Sequence, residues 1–545
     1  MGTWNPIKNM LDAVTKSVVH AATAPFWAAP YLAKEVVEEF SKPGTLTGSP
    51  PAPKGLTKTG TSLSDDLRGS GGDDTLRGES GDDVLRGLDG DDRLYGGNDD
   101  DVLIGGAGGD RLDGGAGEDW ASYAGAGSDV VADLISPGNN KGDAKGDTYL
   151  FIENLRGSDH DDTLSGNDAA NVIDGGAGWD NLHGRGGDDT FIGGLGNDWH
   201  YGGAGYDTMD YSGSSDGVTI NWRGGVSGYD AAGDKYSSIE KFVLTDHADD
   251  YTGRGDIFMG DGDDRGDLTG SGKLFGEGGD DLLLNNGNRD GALLDGGRGH
   301  DFLVGSNGTP STPSGPLGTF GADTLIGGNG NDLLHGGDGG DTLVGGTGGF
   351  DVATYDWAVD KVVVDASAMA NSRGDAAGDF YSDIEAIHGS DYGDVLTAGN
   401  GVNVIFGGAG EDTIEDSAGR DFLFGGTPFG DSRELHDFLK GLDEAGGFEE
   451  AIATFDTDAM RDGEMDVFTM VNGGAQYRSE DHEDFIFGFE TGLDRIELSY
   501  ENLLDEWEYV DGGTKLTLED GDVIYVDAEI EINTFAFEHS DVVYV

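Results

Sequence analysis

The chain has 545 residues, of which 101 are glycine, with 106 Asp and Glu against 32 Lys and Arg, a formal charge of −74 and no cysteine. The negative charge argues against a nucleic-acid partner, and the missing cysteines exclude a disulfide scaffold or a thiolate metal site. So acidic a fold repels itself unless cations cancel the charge, yet 36% of the residues are hydrophobic and periodically placed, which argues against plain disorder.

Residues 1–40 form the first predicted segment. Trp4, Ile7, Leu11, Val14 and Val18 step by three and four, an amphipathic helical stripe that Pro25 and Pro30 end. Leu32, Val36, Val37 and Phe40 suggest a second short helix. Trp4, Phe26 and Trp27, with Lys8 and Lys16, suit contact with a membrane surface; covering an open end of the following structure or binding a partner is the plainer use. Lys16 and His20 interrupt the apolar stretch that a secretory signal peptide needs, and no apolar run is long enough to span a bilayer. Residues 41–60, rich in Pro, Gly, Ser and Thr, read as a flexible linker.

Residues 61–426 are repetitive. From Leu67 the chain reads in nines: LRGSGGDDT, LRGESGDDV, LRGLDGDDR, LYGGNDDDV, LIGGAGGDR, LDGGAGEDW. The unit is G-G-x-G-x-D-x-U-x, with U large and apolar. Its aspartates are Asp74, Asp83, Asp92, Asp101, Asp110 and Asp119. A second block carries Asp162, Asn171, Asp180, Asp189, Asp198 and Asp207. A third, less regular block carries Asp281, Asp290, Asp301, Asp323, Asp332 and Asp341, and a fourth Asp394, Asn403, Asp412 and Asp421.

Each x-U-x is a very short strand with U inward, and the six residues before it form a tight turn whose glycines allow positive φ and close backbone approach. Two turns and two strands make one coil of a flattened parallel solenoid. Turn aspartates then stack about 4.8 Å apart. Like charges that close destabilise the fold, and a hard divalent cation between the turns reverses the sign. Ca²⁺ suits such sites, because it accepts six or more oxygens from carboxylates and carbonyls in flexible geometry, whereas Mg²⁺ demands a tighter octahedron.

These nonapeptides resemble the RTX (repeats-in-toxin, hemolysin-type) family over most of 61–426. The resemblance implies a mostly β fold: a right-handed parallel β-roll with short N-terminal helices and a C-terminal α+β cap. It also implies multiple Ca²⁺ ions on the turn aspartates and asparagines named above.

Three interruptions, near 120–155, 207–242 and 351–387, resemble one another. Each has an early tyrosine (Tyr123, Tyr211, Tyr355) and a core holding Asp143/Asp147, Asp230/Asp234 or Asp375/Asp379. Glu153, Glu240 and Glu385 fall nine residues before Asp162, Asp249 and Asp394, in the aspartate register of the next block. The roll is therefore expected to run through each interruption with one enlarged loop. Asp143, Asp230 and Asp375 are either further calcium ligands or solvated loop acids.

Residues 427–545 are expected to cap the roll, beginning with a helix-like patch at Glu434–Glu450. HEDFIFGFETGLDRIELS at 482–499 resembles the segment that follows the roll in RTX proteins, and the ending SDVVYV resembles their uncleaved type I secretion signal. No catalytic constellation emerges. Gly213-Ser-Ser-Asp-Gly217 matches a nucleophile elbow only by letter, His482-Glu483 has no second histidine at the zincin spacing, and Gly270-Ser-Gly-Lys273 lacks the P-loop spacing. The segment before the repeats is short for a protease or lipase domain. The expected protein is thus a secreted, extracellular, calcium-folded one, not an enzyme, with a structural, adhesive or surface-matrix role. Its partners would be calcium, the type I secretion apparatus and cell-surface or matrix components. A membrane-active protein using residues 1–40 is the alternative, and an enzyme with an unrecognised site is the more remote one.

Overall fold

The computed structural model describes residues 55–221, 225–228, 230–286, 291–306, 322–366, 372–399, 404–415, 421–445, 447–448 and 451, and short strands between 467 and 543. The helical segment read over 1–40 and most of the linker lie outside the described residues. The end of the linker reading, 41–60, is corrected: Thr57–Thr59 is a strand in parallel register with Thr75–Arg77, and the Leu56 N–H donates to Asp74 Oδ1. A strand rung and a turn carboxylate hold that stretch, so the ladder begins before residue 61.

The chain forms two compact units, one of residues 1–205 with 210–215 and 235–237, the other of 206–209, 216–234 and 238–545. In the first unit two parallel ladders face each other. One runs through Thr57–Thr59, Thr75–Ser80, Arg93–Asn98 and Arg111–Ala116; the other through Asp66–Arg68, Val84–Asp89, Val102–Ala107 and Trp120–Ser122. Leu76 pairs with Leu94 and Leu85 with Leu103, one coil of eighteen residues apart, and these side chains are fully buried. The nine-residue period thus places one leucine per half-coil inside, each worth about 1.5–3 kcal/mol of burial. Positions where the repeat has lost its second glycine keep the turn conformation: Glu79 sits at φ 83° and Leu88 at φ 89°, as Gly97 and Gly106 do at 132° and 98°.

The first interruption does not break this ladder. Asn154–Arg156 pairs with Trp120–Ser122, and Thr148–Leu150 with Arg111–Asp113. The extra strand Val131–Asp133 pairs with Thr163–Ser165, so the roll continues around an enlarged loop. The third interruption repeats the scheme: Phe380–Ser382 pairs with Thr342–Val344, Ala386–His388 with Val352–Thr354, and Val363–Asp365 with Val395–Thr397. Within the second interruption, Thr219–Asn221 forms an antiparallel pair with Gly225–Ser227 and a parallel one with Asp250–Thr252.

In the second unit, the helix Ser432–Ala445 packs on the outside of the roll through Leu435, Leu439 and Leu442. Beneath it, Phe302–Val304, Val404–Phe406 and Phe422–Phe424 are buried on both faces, so apolar residues replace the polar outer positions of the first block. Asn331 Nδ2 donates to the Leu439 carbonyl (2.9 Å), and Lys440 pairs with Asp280 (3.0 Å).

The boundary read at 426 is also corrected. Thr413–Glu415 pairs in parallel with Val467–Thr469, which continues to Arg495–Glu497, and Phe422–Phe424 pairs with Phe485–Phe487. Antiparallel pairing then ends the coil: Gly513–Leu518 lies between Leu504–Val510 and Val523–Val526, and Val542–Val543 runs against Ile496–Glu497. Antiparallel strands close exposed edges that a parallel coil leaves open.

Candidate metal sites along the turns

Each turn aspartate does two things. Its backbone N–H donates to a carboxylate oxygen of the aspartate one coil later: Asp74 to Asp92 Oδ1 (2.6 Å), Asp83 to Asp101 (2.9 Å), Asp92 to Asp110 (2.7 Å), Asp101 to Asp119 (2.9 Å). The second block repeats this with Asp162 to Asp180, Asn171 to Asp189 and Asp180 to Asp198, and the fourth with Asp394 to Asp412. In the third, Asp281 donates to Asp301, Asp301 to Asp332 and Asp323 to Asp341. All these side chains are buried, as are Asp207 and Asp421. Asp290 and Asn403 lie outside the described residues.

The other oxygen, Oδ2, divides the row in two. In Asp83, Asp92, Asp101, Asp110, Asp119, Asp180, Asp281, Asp301, Asp332 and Asp341 it is buried with no hydrogen-bond partner. It points over the glycine five residues earlier, where a side chain would collide with it: Gly78 before Asp83, Gly87 before Asp92, Gly96 before Asp101. A Cβ on Gly78, Gly87 or Gly96 would also stand 2.6 Å from the carbonyl oxygen of Gly96, Gly105 or Gly114, one coil on. Glycine therefore leaves a cradle between a carboxylate oxygen and a carbonyl oxygen, an all-oxygen donor set that suits a hard cation.

At Asp74, Asp162, Asp249 and Asp394 the oxygen is satisfied internally. Ser158 donates to Asp162 Oδ2 through its amide (2.5 Å) and hydroxyl (2.9 Å), and Ser390 treats Asp394 the same way. Ser70 and Thr245 cap Asp74 and Asp249. Asn171 Nδ2 donates to the Glu153 carbonyl at 2.6 Å.

Without a cation, burial first, then neighbouring carboxylates, push the row upward against the pull of the backbone amides. Asp92 rises to about 6, Asp101 to about 7 and Asp110 to about 8. Burial and the same neighbour repulsion carry Asp301 and Asp341 to about 9.

Some row members escaped the nine-residue register. Asp264 accepts from Asp249 N (2.8 Å) and donates to Asp281, although it lies only fifteen residues after Asp249. Gly260-Asp-Gly262-Asp-Asp264 is a G-x-G-x-D match that could have located it. Asp351 accepts from Asp332 N (2.9 Å), displaced one position by the extra glycine in Gly348-Gly349. In the interruptions, Glu153, Glu240 and Glu385 do hold the aspartate register, accepting from Asp119, Asp207 and Asp351. The second aspartate of the first and third cores, Asp147 and Asp379, joins the row, receiving Asp110 N and Asp341 N; Asp143 and Asp375 do not.

Fold and rows together define a parallel β-roll built from aspartate-bearing glycine turns. A model of four copies of the RTX calcium-binding nonapeptide repeat matches residues 59–94, 86–121, 156–191, 174–209, 293–309, 317–349, 382–414 and 406–427. The chain thus carries RTX calcium-binding nonapeptide repeats at these positions. No curated protein was found to match the chain.

Proposed function

We propose that the turn aspartates named above hold Ca²⁺ between successive coils, and that the protein is exported unfolded by a type I apparatus and folds outside the cell when calcium fills the rows. The observation that carries this reading is the series of buried, unpartnered Oδ2 atoms, each over a glycine and, at Asp83, Asp92, Asp101, Asp119, Asp180, Asp281 and Asp332, beside a carbonyl oxygen as well. Buried carboxylates without a partner are costly. Supplying the cation makes binding energy folding energy, since the cradle exists only when coils stack. Cytosolic calcium is too dilute for extracellular-type sites with Kd of about 10⁻⁴–10⁻³ M, which keeps the chain open for passage through a channel. The roll and its cap fill the described residues, which supports a structural, adhesive or surface-matrix role over catalysis.

Equilibrium dialysis against Ca²⁺, with Mg²⁺ as control, tests this. Several ions per chain, reduced when Asp101 and Asp110 are changed together to Asn, are expected. A chain that takes up no Ca²⁺, or as much Mg²⁺ as Ca²⁺, would overturn it.

A further inference from the structure

His200 stands where the repeats place an inward leucine. It is the middle residue of Trp199-His200-Tyr201, in register with Leu182 on one side and Tyr236 on the other. It is 1% exposed, and neither ring nitrogen has a hydrogen-bond partner. The nearby Lys235 N–H is engaged by the Asp198 carbonyl at 2.8 Å. Phe191 meets the ring edge-on and Tyr236 stacks on it at 5.6 Å. The other buried histidines are satisfied: His335 Nδ1 contacts the Thr354 carbonyl (2.9 Å), and His388 the hydroxyls of Thr354 and Thr427 (3.1 Å each). Leaving an imidazole buried and unpaired is unfavourable, and leucine would have served the core.

The ring is aimed at a cradle. His200 Nε2 lies 2.8 Å from where a Cβ on Gly193 would stand, and Asp198 Oδ2 lies 3.0 Å from the same point. At Gly78, Gly87 and Gly96 the atom that joins the aspartate oxygen in this space is a carbonyl oxygen. At Gly193 it is a nitrogen.

We propose that this turn is the exception among those assigned to Ca²⁺ above, a mixed nitrogen–oxygen site that takes a borderline divalent metal of the Zn²⁺ class instead, with His200 Nε2 and Asp198 Oδ2 as side-chain ligands. Ca²⁺ prefers all-oxygen sets, whereas imidazole with carboxylate suits Zn²⁺ and Co²⁺. A ring nitrogen of His200 and a carboxylate oxygen of Asp198 lie within 4.8 Å of each other, close enough to converge on one ion at about 2.0–2.2 Å after small side-chain adjustments. Because the site is closed in the folded roll, the ion enters as the coil forms. The inference rests on the cradle geometry but not on calcium occupying the remaining turns.

The full chain is refolded in saturating Ca²⁺ with Co²⁺ present as a spectroscopic probe, beside His200→Leu, which restores the leucine of neighbouring repeats. The native chain is expected to hold one more Co²⁺ than the variant, with a visible band that Zn²⁺ displaces and Ca²⁺ does not, and to bind Zn²⁺ about 100-fold more tightly. Circular dichroism of the two in Ca²⁺ should coincide. Equal Co²⁺ and Zn²⁺ uptake by both chains, as metal on surface histidines alone would give, would overturn the proposal. Should the leucine variant fail to fold, His200→Phe keeps a ring of similar size and is read by the same criterion.

Discussion

The turns of the first block and the turns of the interruptions solve one problem in two ways. Both stack carboxylates in one row, and both bond Oδ1 to the amide of the preceding coil. They differ at Oδ2. In Asp92, Asp101 and Asp110 that oxygen is buried and unpartnered beside a glycine cradle. In Asp147 it accepts the Tyr123 hydroxyl at 2.8 Å, and in Asp379 the Tyr355 hydroxyl at 2.8 Å. Tyr123 is bonded in turn to Tyr149 (2.6 Å), which Asn140 Nδ2 caps at 2.9 Å; Tyr355 meets Tyr381 in the same way. Under the proposal, these repeats leave a place for a cation, and the first and third interruptions fill it with a phenol. Runs of turns with an unpartnered Oδ2 are therefore interspersed with turns that carry their own donor.

Removing the part common to both regions should have the largest effect. Leu94→Ala empties a fully buried position stacked on Leu76 and Leu112, and should cost about 2–5 kcal/mol, read as a lowered thermal midpoint even at saturating Ca²⁺. Next comes the cradle. Gly96→Ala places a methyl 2.6 Å from Gly114 O and against Asp101 Oδ2, so the Ca²⁺ midpoint for folding should rise, whereas Gly125→Ala, with open space around it, should leave it unchanged. Tyr123→Phe removes the donor to Asp147 Oδ2 and should cost about 1–3 kcal/mol at saturating Ca²⁺. An unchanged melting curve there would show that the phenol is not what satisfies the interruption.

Acidity sharpens the contrast further. Row aspartates in the folded, cation-free roll stand at about 6 (Asp92) to about 9 (Asp301), above the ~3.9 of an unfolded aspartate. Folded chains then hold protons that unfolded chains have released. That stabilisation is full below about pH 4 and is lost as pH rises through 6 to 9. In chelator, β structure should appear on acidification and disappear on return to pH 8, and the Ca²⁺ midpoint should rise as pH falls because protons compete for the same oxygens.

Much of this was legible in the sequence because one period carries both jobs. Leu76, Leu85 and Leu94 mark the inside while Asp74, Asp83 and Asp92 mark the edge, so a register of nine yields core and row together. The register failed where the chain changes length within a coil, as at Asp264 and Asp351, since the row follows stacked strands rather than residue count. It was also silent on how each carboxylate is satisfied. That depends on Ser158 and Ser390 four residues earlier, and on tyrosines reaching Asp147 from twenty-four residues away. The helix Ser432–Ala445 could be expected from its own pattern, but its seat could not. That seat is visible only once Phe302, Phe406 and Phe422 are seen gathered in one cluster with Leu435, Leu439 and Leu442.

The most direct test of calcium as the missing partner of the rows is far-ultraviolet circular dichroism of the full chain at neutral pH during a Ca²⁺ titration, with Mg²⁺ as control. A cooperative gain of β signal with Ca²⁺ alone, reversed by chelator, is expected. A spectrum already folded in chelator and indifferent to Ca²⁺ would contradict it.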